Sequence, residues 1–538
     1  MRLPFPRALG WIAITSVIAA ACGSSPETAS STSSSGSGGS GGSTALTIEL
    51  PQAIDGALWA NPFTYASVPL HVRTTGNPAS VKVSLGSTSV MAQPAATAGE
   101  WIADLPIQDL PDGITKLTAE ADAEGATPAT ISADLGIGQL AVQLTDYSKV
   151  GMARSPFVHR VNGAMWLTWI DRSETSAKLW LSRIDGAGRF AGDKVMLAAS
   201  PAAEILYAFT AFGKSSVGIL YKEPGVPYKT FFKTADMTGK ELTAPVALDP
   251  SGSNGTFGGE IVHDEKTQSY IAVWRVTDGM GGSDVRWARF DEATAKMTGP
   301  VVVAKSGAGD ANDPVGGFDP FSFEKVRVTG DLSVVSYVRY HWSEPLLQAI
   351  PRSEIAVVKN DGTLVSSTIL GDPNSFTFHR ESRIYTVADQ LVSIHSKTDL
   401  LDPSDQPPMG FYASLLDAEG AITPKGNKGT QMFAPIDDRD EPFLIAHPDT
   451  FGVLAWLDHR AYTEDPDHGR INLYVSKVGS DLKTAGDPTV FEHVWFTAGL
   501  SDLNGVTAGT NIPLFWIDFR HSVGTDFRPE VYFETVWY

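Results

Sequence analysis

The sequence predicts an all-β protein in which a β-sandwich is followed by a seven-bladed β-propeller, a ring of four-stranded sheets around a central channel. Three observations favour this fold. A hairpin signature recurs six times in the C-terminal three quarters of the chain, at intervals of about 50 to 70 residues, near the length of one blade. A seventh copy lacks its outer strand, and an upstream segment has the alternation of such a strand. No long stretch after Gly138 has a helical period.

The first 21 residues read as an export signal. Arg2 and Arg7 precede an apolar run from Ala8 to Ala21. This run is shorter than the roughly 20 residues that a helix needs to span a bilayer. A basic start followed by a short apolar run is typical of a secretory signal peptide, so we expect residues 1–21 to be removed on export.

The end of the apolar run carries Cys22, the single cysteine of the chain. The sequence Ala19-Ala20-Ala21-Cys22 resembles the lipobox of bacterial lipoproteins, with Ala19 where leucine is usual. The resemblance implies that Cys22 becomes the lipidated first residue of a cell-envelope protein. Gly23 stands where an aspartate would retain such a protein at the inner membrane, so the resemblance implies the outer membrane. The alternative is an ordinary signal peptide cleaved near Ala21.

Residues 22–44 are predicted to be a lipid anchor and a tether. Ser24 to Thr44 consists almost entirely of Ser, Gly, Thr and Ala, which cannot bury apolar area. With Cys22 used for lipid, the mature chain has no thiols left for a disulfide. Its stability must therefore come from core burial and ring closure.

Residues 45–136 show short alternating strands separated by turn residues, which favours a β-sandwich. The strands are Leu46–Leu50, Val68–Val72, Val81–Leu85, Trp101–Leu105, Leu117–Ala121 and Ala129–Ala133. The run from Gly99-Glu-Trp101 through Leu110-Pro-Asp-Gly113 to Ala121 resembles the later strands of bacterial Ig-like domains. That resemblance implies a spacer or an adhesion module.

Residues 137–538 are predicted to form the propeller. Each hairpin has an apolar strand, a turn and, in most copies, a second apolar strand at the outer edge of a blade. Asp, Asn and Gly occupy the turns because they tolerate a positive φ or bond their own backbone. The turns begin at Asp185, Asp236, Asp291, Asn360, Asp417 and Gly479.

The last blade has Ile512–Asp518 and Glu530–Glu534, and the chain stops before an outer strand. Gln139–Thr145 would supply that strand, close the ring and remove the exposed sheet edge. A count of six blades stays open because Ala203–Tyr221 and Phe376–His395 carry weak strand signals. The alternative architecture is a string of about four further sandwiches.

The net charge of −20 and the absence of a dense Lys or Arg run argue against nucleic acid and anionic membrane surfaces as partners. Contact with a membrane is expected through the lipid alone, and we expect a monomer. No spacing of His, Cys, Asp or Glu matches a zinc or calcium site, and no phosphate-binding Gly loop occurs, so no metal or cofactor is predicted.

A Trp-x-Asp motif closes the second strand of three blades. Trp can pack between sheets, Asp can accept backbone N–H bonds, and a following Arg can pair with a carboxylate. A repeated motif of this kind indicates a device that locks blades together, and a ring of arginines facing an anionic ligand is the alternative. The motif residues are Trp169, Asp171, Arg172, Trp456, Asp458 and Trp516.

Ligand binding is expected at the face where the loops after second strands and before first strands are long, since such loops carry binding residues on a rigid scaffold. Polar and aromatic groups there suit a glycan or an envelope or extracellular protein. The candidates are Arg339, His341, Trp342, His459, Arg460, Asp518, Arg520 and His521.

Three functions remain open on the sequence. The first is non-enzymatic binding of a glycan or protein through the long-loop face. The second is a carbohydrate-active enzyme, a hydrolase or lyase, using acids such as Asp171, Asp458 or Asp518 at the channel mouth. The third is a structural envelope component. The chain has no nucleophile elbow, but a propeller active site needs no local motif.

Overall fold

A computed structural model describes residues 45–146, 152–173, 176–200, 208–223, 229–248, 256–277, 283–306, 324–343, 348–370, 377–399, 409–417, 429–432, 439–458, 471–494, 503–518 and 529–538. All of them belong to one compact unit, Ser43–Tyr538; the other unit is Met1–Gly42. Within these ranges the regular structure is β-strand throughout. No long apolar helix able to cross a bilayer occurs in this described part of the chain.

The N-terminal strands form two sheets that face each other. One sheet has the order β1-β3-β7-β6 and the other the order β2-β9-β8-β4-β5. Buried and exposed residues alternate along β4 and β8, so one side chain of each pair enters the core. The strands are β1 (Thr47–Glu49), β2 (Ala57–Ala60), β3 (Ser67–Thr75), β4 (Ser80–Leu85), β5 (Thr88–Met91), β6 (Gln93–Pro94), β7 (Glu100–Pro106), β8 (Gly113–Asp122) and β9 (Ala129–Ile137).

The described C-terminal strands form seven four-stranded antiparallel sheets. Six of them run in chain order, from the strand at the channel to the strand at the rim. Their strands are β11 (Met152–Val161), β12 (Ala164–Arg172), β13 (Ala177–Ile184), β14 (Val195–Ser200); β15 (Ala208–Phe212), β16 (Ser216–Glu223), β17 (Lys229–Asp236), β18 (Val246–Ala247); β19 (Thr256–Asp264), β20 (Ser269–Thr277), β21 (Ser283–Asp291), β22 (Met297–Ser306); β23 (Lys325–Thr329), β24 (Leu332–Ser343), β25 (Gln348–Lys359), β26 (Leu364–Ile369); β27 (Thr377–Val387), β28 (Gln390–Asp399), β29 (Met409–Leu416), β30 (Thr430–Gln431); and β31 (Arg439–His447), β32 (Thr450–Asp458), β33 (Ile471–Val478), β34 (Thr484–Val494).

The last sheet combines the two ends of this region. It has the order β10-β37-β36-β35, with β10 (Val142–Gln143), β35 (Asn504–Gly505), β36 (Ile512–Asp518) and β37 (Glu530–Val536). Val142 pairs with Phe533, and the amide of Val531 donates to Thr145 Oγ1 at 2.9 Å. The segment before the first propeller sheet thus supplies the outer strand that the C-terminus lacks.

Apolar packing joins these sheets into a ring. Each of seven buried clusters in the described residues contains side chains from two consecutive sheets. The cluster with Trp169 and Phe533 joins the first sheet to the last. The prediction of an all-β chain with a β-propeller is confirmed, and a string of separate sandwiches is excluded. The weakly signalled segments contribute the pairs β15–β16 and β27–β28.

The sandwich packs directly on the propeller. The Gly186 amide donates to the Ile54 carbonyl at 3.0 Å, and Gln52 Nε2 donates to Thr510 Oγ1 at 2.7 Å. Gly186 follows β13, and Ile184 pairs with Met165 beside the short β11–β12 turn. The sandwich therefore lies on the short-turn side of the ring, away from the ends that carry the long loops.

Gly186 is at this contact because a side chain does not fit there. An added Cβ would lie 2.1 Å from the Ala57 carbonyl oxygen, a backbone atom that cannot move aside. We expect Gly186→Ala to lower the free energy of unfolding by about 1–3 kcal/mol. Gly192 in the same turn region has nothing within 4 Å of such a Cβ, so Gly192→Ala is the matched control. Equal urea midpoints for the two variants would refute the close approach.

Candidate functional site

A cavity of about 330 Å³ lies in the central channel. Its described lining comes from the channel-side strand of every propeller sheet, from β11 through β31, and from Asn504 of β35. Because the ring of sheets creates this space, no single blade or loop forms the site. The arrangement is a concave, preformed pocket of the size that holds small organic molecules.

The innermost strand of each sheet supplies the lining of the cavity. On β23 the lining alternates, because Lys325 and Arg327 face the cavity while Val326 between them is fully buried in an inter-sheet cluster. On β19 and β27 consecutive residues reach the cavity, from Glu260 to His263 and from Arg383 to Tyr385.

Positive charge is concentrated in this lining. Lys325, Arg327 and Arg383 contribute three cationic groups, and Glu260 is the one acid among the described lining residues. Arg383 is only 7% exposed. Lys325 and Arg383 also interact with other groups of the chain.

Glu260 fixes the position of Arg327. Its Oε2 accepts hydrogen bonds from the Val326 amide at 2.6 Å and from Arg327 Nη1 at 2.8 Å. The Arg327 guanidinium lies 6.0 Å from the centre of the Tyr385 ring, and the Tyr385 hydroxyl donates to the Pro442 carbonyl. Ion pairing and ring contact together hold the guanidinium in place without using all of its donors.

His159 contributes a neutral imidazole. Burial, opposed by a hydrogen bond to the Thr210 backbone and reinforced by the charge of Arg327, lowers the pKa of His159 to about 4. Its ring lies 4.5 Å from that of Phe212, and its Nε2 is buried without a hydrogen-bond partner among the described residues. At neutral pH this side chain adds no charge to the cavity.

Aromatic rings form much of the remaining wall. Phe157 and Phe209 have ring centres 5.6 Å apart, and Phe443 meets Tyr385 edge-on at 6.0 Å. Phe212 completes the set on the side of His159. The cavity therefore offers apolar faces beside cationic groups, a combination that suits an amphipathic organic molecule.

A hydrogen-bonded chain adjoins the cavity at His263. His263 Nε2 contacts Glu292 Oε2 at 2.9 Å, and Ser216 donates to the other oxygen of Glu292. Ser216 also contacts the Tyr270 hydroxyl at 2.6 Å, and burial raises the pKa of Tyr270. The carboxylate lies between serine and histidine, whereas a nucleophilic triad needs the imidazole between serine and acid. This order does not activate Ser216 as a nucleophile.

Two of the ligand residues predicted from the sequence, Arg339 and His341, contact the same buried carboxylate, that of Glu354. Arg339 Nε donates to Glu354 Oε1 at 3.1 Å, and His341 Nε2 contacts the same oxygen. Burial would raise the pKa of the Glu354 carboxyl, but the His341 hydrogen bond and the Arg339 charge outweigh burial, so the pKa is lowered. Arg339 also donates to the Lys305 carbonyl at 2.9 Å. These contacts join β24, β25 and the outer strand of the preceding sheet.

The other predicted ligand residues divide into two groups. Trp342 is partly buried on β24, and Asp518 is fully buried at the end of β36, where Trp516 Nε1 donates to it at 3.4 Å. Neither belongs to the described cavity lining. Four candidates, and Cys22, lie outside the described residues: His459, Arg460, Arg520 and His521.

The Trp-x-Asp residues lie on the second strands, away from the channel. Trp169, Trp456 and Trp516 are 1%, 3% and 1% exposed and belong to inter-sheet clusters. Asp458 is 1% exposed, and Asp171 and Arg172 are partly buried. None of these acids or the arginine is among the described lining residues of the cavity.

Sequence reasoning missed the cavity residues. Lys325-Val-Arg327 and Arg383-Ile-Tyr385 do show a period of two, but an alternating strand with charged residues normally indicates a solvent face. Their position in the first strand of a blade could have identified them, because polar residues of that strand can line the channel. Within the described residues, no three His, Cys, Asp or Glu side chains are arranged to hold a metal ion.

No protein-family model matches the chain, and no curated protein matches it. Several solved structures are similar in shape. The β-propeller domain of the Trilobed protease from Pyrococcus furiosus has 9% identity and a TM-score of 0.39, over 72% of this chain and 98% of that chain. A subtype N10 neuraminidase-like protein of A/little yellow-shouldered bat has 8% identity and a TM-score of 0.35, over 73% and 96%. An α-L-arabinofuranosidase from Lactobacillus brevis has 11% identity and a TM-score of 0.31, over 55% and 100%. Likeness at this level gives no argument about what the chain binds or does.

Proposed function

We propose that this protein is an exported, lipid-anchored binding protein of the cell envelope, which holds a small ligand in its central channel without catalysing a reaction. The cavity of about 330 Å³ is the observation that carries the proposal. Its volume is within the range of about 300–1,000 Å³ typical of small-molecule sites. The export signal, Cys22 and the Ser- and Gly-rich tether support an anchored protein of the outer membrane.

The lining supports binding more than hydrolysis. Most glycoside hydrolases need two carboxyl groups flanking the scissile bond. The described lining contains Glu260 alone, and its Oε2 already accepts from Arg327 and the Val326 amide. The acids of the enzymatic alternative, Asp171, Asp458 and Asp518, lie on second strands outside that lining.

The size of the cavity favours a sugar or another small organic molecule over a protein ligand. A protein partner needs about 800 Å² of surface on each side, which a channel of this volume does not present. At the long-loop end, Arg339 and His341 are engaged by Glu354, a contact that stabilises the sheet. The channel is therefore the better-supported ligand site.

Filling the cavity tests this function. Ala211 is at the wall of the cavity and also belongs to the buried cluster between the second and third propeller sheets, so Ala211→Phe would add a ring at this wall, and thermal unfolding must show that the variant is folded. Purified wild-type protein is incubated with a small-molecule extract of cell envelopes, washed and denatured, and the released molecules are identified by mass spectrometry. We expect the wild type to release at least one compound on denaturation. The amount of that compound released from Ala211→Phe should be at least ten-fold smaller.

The matched control is Met196→Phe, which adds a ring at a side chain that is 48% exposed on the outer strand β14. It should release the same compounds as the wild type. Equal release by all three proteins, or no release by the folded wild type, contradicts a channel binding site.

A further inference from the structure

We propose that the molecule held in the channel is a neutral ring compound with hydroxyl groups on adjacent carbons, such as a sugar. Glu260, Arg327 and Asn504 bind its hydroxyls, and its ring packs against the aromatic wall. This inference rests on the proposed binding function and names the chemical class of the ligand.

Glu260 has one carboxylate oxygen left for a ligand. Its Oε2 accepts from the Val326 amide and from Arg327 Nη1, whereas its Oε1 accepts no hydrogen bond from the described residues. The Glu260 side chain lines the cavity and is 13% exposed. Oε1 can therefore accept from a ligand hydroxyl, and a hydrogen bond to an ionised oxygen is stronger than one to a neutral oxygen.

Arg327 offers donors beside this acceptor. Its hydrogen bonds to Glu260 and to the Val326 carbonyl both use Nη1. The Nε and Nη2 donors make no hydrogen bond within the described part of the chain, and the side chain is 25% exposed. Because Glu260 and the Tyr385 ring already fix the guanidinium, little conformational entropy is lost when a ligand binds to it.

Asn504 adds an amide group to the same cavity. Its backbone pairs with Phe515 at the edge of the last sheet, and the residue is partly buried at the cavity wall. No hydrogen bond joins its side chain to another of the residues that the structure describes. Since a primary amide both donates and accepts, its two polar atoms can both bind one ligand.

Together these groups favour a neutral ligand with several hydroxyls. The charges of Glu260 and Arg327 are balanced in their ion pair, with 2.8 Å between Oε2 and Nη1, and Asn504 is uncharged. Each hydroxyl both donates and accepts, so two adjacent hydroxyls can bind the Glu260 oxygen and the Arg327 nitrogens at the same time. The apolar face of the ring can then lie against Phe157 or Phe443, which are partly buried residues of the lining.

Isothermal titration calorimetry with matched probes tests the inference on the purified wild-type protein. Glucose, galactose, mannose and myo-inositol represent the proposed class. Cyclohexanol has the ring of myo-inositol with a single hydroxyl, and N-acetylphenylalaninamide offers amides and an aromatic ring instead. We expect at least one of the four polyols to bind at least about ten-fold more tightly than cyclohexanol and the amide, because only a polyol can use the charged and the neutral groups together.

Variants of the lining locate the binding. Asn504→Ala should weaken binding of that polyol by about three- to ten-fold, and Glu260→Gln by about ten-fold or more. Gln93→Ala is the matched control, because it removes an exposed amide on the sandwich strand β6 and should leave binding unchanged. Thermal unfolding confirms that each variant is folded. Asn504→Ala carries the test if Glu260, which also accepts from the Val326 amide, proves necessary for folding.

The outcomes separate the inference from the function on which it rests. Cyclohexanol or the amide binding as tightly as the polyols, polyol binding that Asn504→Ala leaves unchanged, or a panel in which no polyol binds would overturn the assignment of the ligand class. If Ala211→Phe still releases less of the extract compounds in those cases, the channel remains the binding site. If the wild type retains nothing from the extract and binds no probe, both proposals fail.

Discussion

Replacing Trp537 with alanine is expected to lower the free energy of unfolding by about 3–5 kcal/mol, the range for removing a buried tryptophan. Trp537 is the penultimate residue and is 3% exposed. Although it directly follows the propeller strand β37, it packs in the core of the sandwich. Its Nε1 donates to the Trp59 carbonyl at 2.9 Å, and its amide donates to the Tyr65 hydroxyl at 3.2 Å.

Loss of the Trp537 side chain should destabilise both the sandwich and the propeller, because this residue follows the last propeller strand and packs in the core of the sandwich. Urea unfolding followed by circular dichroism gives the free energy, and limited proteolysis reports on residues 45–137. Trp180→Ala is the matched control, since Trp180 is a partly buried tryptophan within one propeller sheet. A loss no larger than that of the control, or separate unfolding transitions in the wild type, would contradict the coupling.

Acidification from pH 6.5 to pH 5 is expected to destabilise the protein by about 3 kcal/mol through two buried histidines. Burial lowers the pKa of His159 to about 4 and that of His395 to about 3, with nearby cations acting in the same direction. The unfolded chain, with histidine pKa values near 6.5, then binds more protons than the folded chain. Stability therefore falls as the pH is lowered through this window, by about 1.6 kcal/mol for each histidine that stays neutral, since the unfolded histidine is already half protonated at about pH 6.5.

Urea unfolding at pH 6.5 and pH 5 measures this slope. His395 is 1% exposed and stacks on Tyr412 with ring centres 6.0 Å apart. His395→Gln removes its titration, so the difference in stability between the two pH values should shrink by about 1.6 kcal/mol. An unchanged difference would show that His395 does not remain neutral in the folded protein.

Local patterns in the sequence predict much of the fold. Asp185, Asp236 and Asn360 stand at turns between strands that the structure contains, because their conformational preferences act over a few residues. The outer strand β10 could be predicted because the last copy of the repeat was incomplete, and an unpaired sheet edge is unfavourable.

The sandwich contact and the cavity could not be predicted in this way. Trp537 and Gly186 matter through atoms that lie far away in the sequence, such as the carbonyls of Trp59 and Ile54. From the sequence alone, Arg383 is predicted to be a solvent-exposed residue of a strand. Only the closed ring of sheets places it at the wall of the channel. Long-range geometry, which a single sequence does not display, determines both features.

Locating a bound molecule tests the central claim most directly. A crystal structure of the protein with the compound that the wild type retains from the extract would show its position. We expect electron density inside the channel, in contact with lining residues such as Phe157, Arg327 and Tyr385. Density at the long-loop end beside Arg339 and His341, with no molecule in the channel, would contradict the account.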